Sequence, residues 1–218
     1  MKTDLQLQRD VLDELKFEPS IREMEIGIAA KGGVVTLSGF VDSYAEKFCA
    51  ERTAERVSGV KAIADEIQVK VPGTFQRSDS DIAHTAVNAL QWDIQVPDDR
   101  IKAVVENGWI ELDGEVEWQY QKSAAERAVR NLTGVKGVSN LITLKPKKVS
   151  AYEVGQKIKD SLRRQAERDA DKITIDAKDG HVTLRGTVSS FAERQDAERA
   201  AWQAPGVTKV DDMIAVSY

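Results

Sequence analysis

Three stretches of this chain are variants of one nonapeptide: GVVTLSGFV from Gly33 to Val41, GWIELDGEV from Gly108 to Val116, and GHVTLRGTV from Gly180 to Val188. With Gly39, Gly114 and Gly186 set in register, the rest of the chain falls into line without a gap. A Gly-Val pair follows each at one fixed offset, as Gly59-Val60, Gly134-Val135 and Gly206-Val207, and Ile67, Ile142 and Ile214 follow those. Upstream, Leu15, Leu90 and Leu162 share a register, as do Val11, Ala86 and Ile158; midway the tripeptide AER recurs at 50–52, 125–127 and 197–199. The repeats are 4–71, 79–146 and 151–218, joined by PGTFQRS (72–78) and KKVS (147–150). A chain that repeats itself this way is built from similar small units, not from one large core. The domains are therefore predicted as 1–71, 79–146 and 151–218.

Periodicity within each repeat gives the elements. Leu7/Val11/Leu15, Ile82/Ala86/Leu90 and Val154/Ile158/Leu162 recur at helical spacing and mark an amphipathic helix. The alternating pairs Ile26/Ile28, Ile101/Ala103 and Ile173/Ile175 mark a strand. Gly32-Gly33, Asn107-Gly108 and Asp179-Gly180 then supply the positive φ angles of a type I′ hairpin. The nonapeptide is the returning strand, with Val35, Leu37, Gly39 and Val41 and their equivalents on one face. Ser43-x-x-Glu46 and Ser190-x-x-Glu193 open a second helix as capping boxes, with Trp118 and Gln121 in their place in repeat two. A small-residue stripe runs along that helix: Ala50/Ala54/Val57, Ala125/Val129/Leu132 and Ala197/Ala201/Ala204. Such a stripe is expected to pack on the strand glycines Gly39, Gly114 and Gly186. The helix is expected to stop at Gly59, Gly134 or Gly206. A last strand follows in VKAIADEIQV, VKGVSNLITL and VTKVDDMIAV. The fold class is α+β: three tandem αββαβ domains, each a three-stranded mixed sheet with two helices on one face. Gly33, Gly108 and Gly180 at the hairpins complete the set of structural glycines.

The hairpin glycines, the strand glycine, the Gly-Val pair and the Asp65, Asn140 and Asp212 of the last strand together resemble the BON (bacterial osmotic-shock and nodulation) domain, in three tandem copies. The resemblance covers nearly the whole chain. It implies the αββαβ fold, no catalytic activity, and roles in envelope integrity, osmotic-stress tolerance and phospholipid association. Some relatives that carry an additional domain type bind potassium.

Charge and cysteine usage narrow the classes. A net charge of −5 argues against a nucleic-acid binder. The lone cysteine, Cys49, forbids an intrachain disulfide. The first residues, MKTDLQLQRDVLDEL, have no continuous apolar run, so they do not read as a secretory signal. No apolar run approaches the roughly 20 residues of a membrane span. As written the chain reads as cytoplasmic; a periplasmic place would require that a leader has been removed.

No catalytic, cofactor or metal site stands out. His84 and His181 occupy different repeat positions and read as surface histidines; Cys49 reads as a packing residue. No Cys/His cluster has zinc spacing, and no phosphate-loop motif is present. Asp211 and Asp212 are neighbours on a strand and point to opposite faces, which prevents paired acid–base work.

Binding surfaces are the better prospect. Trp109, with Trp118 and Tyr120, is a candidate aromatic patch for a partner, a glycan or a lipid headgroup; alternatively Trp109 seals repeat two against another repeat. Repeats one and two are acidic, whereas 147–218 is slightly basic. By helical periodicity Lys157, Arg164 and Arg168 form a row on one side of the Val154/Ile158/Leu162 stripe, and Lys159 and Arg163 a row on the other; Lys147 and Lys148 precede them. Cations flanking an apolar stripe suit a lipid surface, although Glu153, Asp160 and Glu167 line the opposite pole and an ordinary solvated helix has the same look. The functional expectation is a non-catalytic triple binding module acting on a phospholipid surface or a protein partner in osmotic or general stress tolerance. The alternatives are an ion (potassium) or small-solute sensor, and a structural protein that self-associates as a homo-oligomer.

Overall fold

The computed structural model describes residues 2–21, 26–146, 150–165, 173–188 and 190–216. Repeat one comprises α1 (Asp4–Phe17), β1 (Ile26–Lys31), β2 (Val34–Val41), α2 (Tyr44–Glu55) and β3 (Ala62–Val69). Repeat two comprises α3 (Asp79–Trp92), β4 (Ile101–Glu106), β5 (Trp109–Val116), α4 (Gln119–Arg130), β6 (Gly137–Asn140) and β7 (Thr143–Leu144). Repeat three comprises α5 (Ala151–Gln165), β8 (Ile173–Lys178), β9 (His181–Val188), α6 (Phe191–Trp202) and β10 (Lys209–Val216). Each sheet is mixed, with the nonapeptide strand in the middle. β1 pairs antiparallel and β3 parallel with β2, and β8 and β10 do the same with β9. The strand order in repeat two is β4-β5-β6, with β7 also on β5.

The predicted last strand of repeat two is thus in two pieces, both parallel to β5. Exposed Leu141 and buried Ile142 lie between them.

Local chemistry starts and stops the elements as expected, with two changes. The hairpins turn tightly because Gly32-Gly33, Asn107-Gly108 and Asp179-Gly180 all take positive φ, +53° and +82° in the case of Asn107 and Gly108. Ser43 and Ser190 accept from the N–H of Glu46 and Glu193. In repeat two Gln121 does the reciprocal half of that work, accepting from the N–H of Glu117 at 3.1 Å and Trp118 at 3.0 Å. The first change concerns the helix end. α2 stops at Glu55, before Gly59, and the chain leaves it through tight turns in which Val57 N–H donates to Ala54 O and Val60 N–H to Val57 O. Gly59 belongs to that exit and not to the helix.

The second change concerns the glycine inside the nonapeptide strand of repeat two. A Cβ at Gly114 would overlap the carbonyl oxygen of Arg100 and crowd Ile101 Cα, where the chain enters the neighbouring strand. Gly114 also has φ +144°, a backbone conformation that side chains rarely adopt. Its close neighbour is therefore backbone entering β4, not the alanine stripe of the following helix. At this position the expected seat for a helix gives way to a strand glycine set by backbone conformation and strand approach.

The stripe alanines are nonetheless core. Ala50 and Ala54, Ala125 and Val129, and Ala197, Ala201 and Ala204 are buried, as are all nine stripe residues of the first helices. In repeat one the core joins Leu7, Val11 and Leu15 to Val35, Leu37, Ala50, Ala54 and Ile67. In repeat three it joins Val154, Ile158 and Leu162 to Val182, Leu184, Ala197, Ala201 and Ile214. By compactness the chain resolves into two units, residues 1–93 with 102–112 and 126–140, and residues 94–101 with 113–125 and 141–218. The core of repeat one lies in the first and that of repeat three in the second.

Candidate functional site

The outer sheet faces carry the residues that differ most between repeats. Trp109 opens β5 and is 50% exposed. Its Nε1–H donates to Ser139 Oγ at 2.8 Å, and its ring covers Gly137 so closely that a side chain there would collide with it. The ring therefore packs across its own sheet onto β6, and half of it stays open. Trp118 and Tyr120 lie beyond the far end of β5 as a tilted pair with ring centroids 6.5 Å apart, and Tyr120 is 54% exposed. The equivalent face of repeat one is guarded differently: Lys70 Nζ stands 3.1 Å from the centroid of the Phe40 ring.

On α5 the apolar stripe Val154/Ile158/Leu162 is buried in the core of repeat three. Lys157 and Lys159 are exposed on its flanks, and Tyr152 near the helix start is 76% exposed. Arg164 lies within the helix, whereas Arg168, Lys147 and Lys148 lie outside the described residues. The stripe is thus unavailable for insertion; Lys157 lies on one flank, Lys159 and Tyr152 on the other, and Glu153 and Asp160 are exposed between them.

A polar clasp recurs between the second helix and the last strand of each repeat. In repeat one Lys47 of α2 donates to Ile67 O at 2.7 Å and pairs with Asp65 at 2.6 Å, while Asp65 accepts from Ile67 N–H at 3.0 Å. In repeat three Arg194 pairs with Asp212 at 2.6 Å and Asp212 accepts from Ile214 N–H at 2.9 Å. In repeat two Lys122 donates to Ile142 O at 2.7 Å, and Asn140 donates to Glu126 at 3.2 Å. Glu51 and Glu126, from the AER tripeptides of repeats one and two, join the clasp through Asp65 and Asn140. Their counterpart Glu198 accepts instead from Trp202 Nε1–H at 3.3 Å. Periodicity shows the AER and the strand Asp/Asn separately; only the folded chain brings them together.

The clasp of repeat one has unusual electrostatics. Burial, a hydrogen bond to Asp65 and the charge of Asp65 push Glu51 up to about 7. Burial also pushes Asp65 upward, but hydrogen bonds from Lys47, Glu51 and the Ile67 N–H outweigh it and hold that carboxyl below its ordinary value. The pair thus shares a proton that resides on Glu51. Two turns before Glu51, Tyr44 is pushed up by burial and by the charges of Glu126 and Glu51, and it hydrogen-bonds the backbone at Val138. Arg130 stacks 3.8 Å from the centroid of the Phe48 ring. Tyr44 and Phe48 therefore fasten α2 to residues 126–138 within the first unit.

Cys49 and His181 are engaged structurally, and His84 lies exposed on α3. Cys49 packs against the core of repeat one, its Sγ 3.2 Å from Ser20 Oγ. His181 Nε2 lies 2.6 Å from Asp211 Oδ2, and hydrogen bonds from Lys209 and then His181 lower the Asp211 carboxyl. Asp211 and Asp212 bind different partners on opposite faces, as their adjacency on a strand requires. Among the described residues no group of three or more His, Cys, Asp and Glu comes together to hold a metal ion. No helix among them is long and apolar enough to cross a membrane.

Three αββαβ units with a central glycine-bearing strand and a helix-to-strand clasp define the class. The BON domain model matches residues 3–71, 78–146 and 153–218, and the chain belongs to the BON domain family. Osmotically-inducible protein Y of Escherichia coli (strain K12) is 33% identical over 126 residues, covering 56% of this chain. The match spans 62% of that relative's length, less than two thirds. Among solved structures, the C-terminal domain of CdsD, the structural protein of the type III secretion system of Chlamydia trachomatis, aligns over 100% of both chains at 12% identity and a TM-score of 0.28. A second CdsD structure aligns over 96% of this chain and 91% of its own at 12% identity and a TM-score of 0.27. Scores that low do not establish a shared fold.

Proposed function

We propose that this chain is a non-catalytic binding protein that serves osmotic or general stress tolerance by resting on an anionic phospholipid surface. The observation that carries the reading is α5: its apolar stripe is consumed by the core, leaving Lys157 exposed on one flank, with Arg164 two turns further along the helix. Such a helix contacts headgroups through charge, without insertion. The acidic repeats one and two repel the same surface, so binding is confined to repeat three and is salt-sensitive. Family membership and the osmotically inducible relative support the stress setting.

The test is co-sedimentation with vesicles of phosphatidylcholine, with and without phosphatidylserine, at low and physiological salt. Binding is expected only with the anionic lipid at low salt, and the double reversal Lys157→Glu/Arg164→Glu is expected to abolish it. No sedimentation at low salt, or undiminished binding by the double variant, rejects the proposal.

A further inference from the structure

The first helices of repeats one and three differ in how they meet the edge strand beside them. In repeat one, Asp4 of α1 accepts from the Gly32 N–H at 2.9 Å, and Gln8 Nε2 donates to Ile28 O at 2.7 Å. Two polar side chains thus tie the helix to the open edge of β1 and to the hairpin turn that follows it. At the equivalent positions of repeat three stand Ala151 and Gly155, neither of which can make such a tie. A groove of about 480 Å³ opens there between α5 and β8, lined by Ala151, Tyr152, Gly155, Lys159, Ile173 and Ile175 among others.

Packing does not explain Gly155. A Cβ at this position would meet nothing within 4 Å, so alanine would fit. Glycine inside a helix is destabilising relative to alanine. The small residue instead keeps the groove open.

The floor of the groove is a strand edge. β8 is the outer strand in the order β10-β9-β8. In repeat one the Ile28 carbonyl points away from β2, since Gln8 reaches it from outside. Ile175 is the equivalent residue in repeat three, and Ile173 and Ala177 share its backbone direction, because alternate residues of a strand aim their peptide groups to the same side. The side chains of Ile173, Ile175 and Ala177 pack into the core, so these residues offer the groove their backbone. Repeat one shows what chemistry fits: a carboxamide, the side-chain counterpart of a peptide group, already donates to this carbonyl position. Among the described residues lining the groove, Lys159 is the only charged one. It sets the sign of the occupant.

We propose that the groove between α5 and β8 takes up an extended, acidic peptide segment as a fourth strand of the third sheet. The main chain of the segment pairs with the outward edge of β8, its helix-side residues fill the space left by Ala151 and Gly155, and a carboxylate meets Lys159. Strand addition beside a helix gives affinity through the main chain and selectivity through alternate side chains. This surface is distinct from the lipid-facing row, because Lys157 lies on the other side of the buried stripe.

The test begins with a displayed library of random segments about ten residues long, enough to span β8. It is panned on the full chain, with Gly155→Gln, which restores the residue of repeat one, as the counter-selection. Enriched segments are expected to be acidic and rich in β-branched residues. As synthetic peptides they are expected to lose at least about tenfold in affinity on Gly155→Gln, on Lys159→Glu, and on N-methylation of alternate peptide nitrogens. Gly155→Gln is expected to melt no lower than the parent chain, and Gly155→Ala is expected to weaken binding less. Failure to enrich any segment that discriminates the parent from Gly155→Gln overturns the proposal, as does equal binding of the N-methylated peptide. Displacement of the peptide by phosphatidylserine vesicles also overturns it, by assigning the groove to headgroups. Vesicle binding that survives Gly155→Gln leaves the lipid reading standing whichever way the peptide result falls.

Discussion

Glu51 and Asp65 show how one residue difference between repeats changes the physics of a shared position. Folded, Glu51 keeps its proton up to about 7, whereas in the unfolded chain it gives it up near the ordinary carboxylate value of about 4.3. Between those two values the folded state holds the extra proton. Stability therefore falls as pH rises through that window. Asp65 acts with the opposite sign but lower on the scale, since its carboxyl is held below its ordinary value: its contribution is lost as pH falls through the acid range. Repeat two avoids the problem, because Asn140 donates an amide hydrogen to Glu126 and no carboxylate pair forms. Asp65→Asn is accordingly expected to flatten the decline in melting temperature between about pH 5 and about pH 8. Thermal melts of the parent chain and the variant across that range are the measurement. Parallel slopes would show that the shared proton does not matter to folding.

At the scale of elements, the chain is legible where local pattern and tertiary role coincide. The stripe Leu7/Val11/Leu15 reads as a buried helix face because helical spacing alone places it there, and Asn107-Gly108 reads as a hairpin because few other turns accept two positive φ angles. Gly114 is legible as necessary but not for the right reason: its neighbour, Arg100, is remote in pattern and comes close only through strand pairing. The clasp is half-visible, as AER and as a strand Asp, since no spacing rule links a helix to a strand beyond it. Tyr44 and Phe48 give no periodic signal at all, because repeats two and three carry Gln119 and Ser123, then Phe191 and Gln195, at those positions. Their role is specific to α2, which they fasten to residues 126–138. A double-mutant cycle on Phe48→Ala and Arg130→Ala is expected to return a coupling of about 0.5–1 kcal/mol in urea unfolding. Strict additivity of the two substitutions would show the stacked pair to be incidental.

For the whole molecule, the division of the apolar core decides how the chain unfolds. Repeats one and three bury separate clusters, one around Leu37 and the other around Leu184. Units of this size are marginal, because a small domain buries a modest fraction of its surface. Separate cores of marginal stability melt separately unless something couples them, and two-state behaviour is not expected of a chain so built. Calorimetry is therefore expected to resolve more than one transition. Leu37 and Leu184 are equivalent, fully buried residues, so truncation to alanine costs each core about 2–5 kcal/mol by lost burial and the cavity left behind. Leu37→Ala is expected to lower one transition and Leu184→Ala another, each leaving the other's in place. A single endotherm that both variants shift alike would mean that the clusters melt as one cooperative body, and the weak sites of the three repeats would then be presented by a rigid array and not by linked modules.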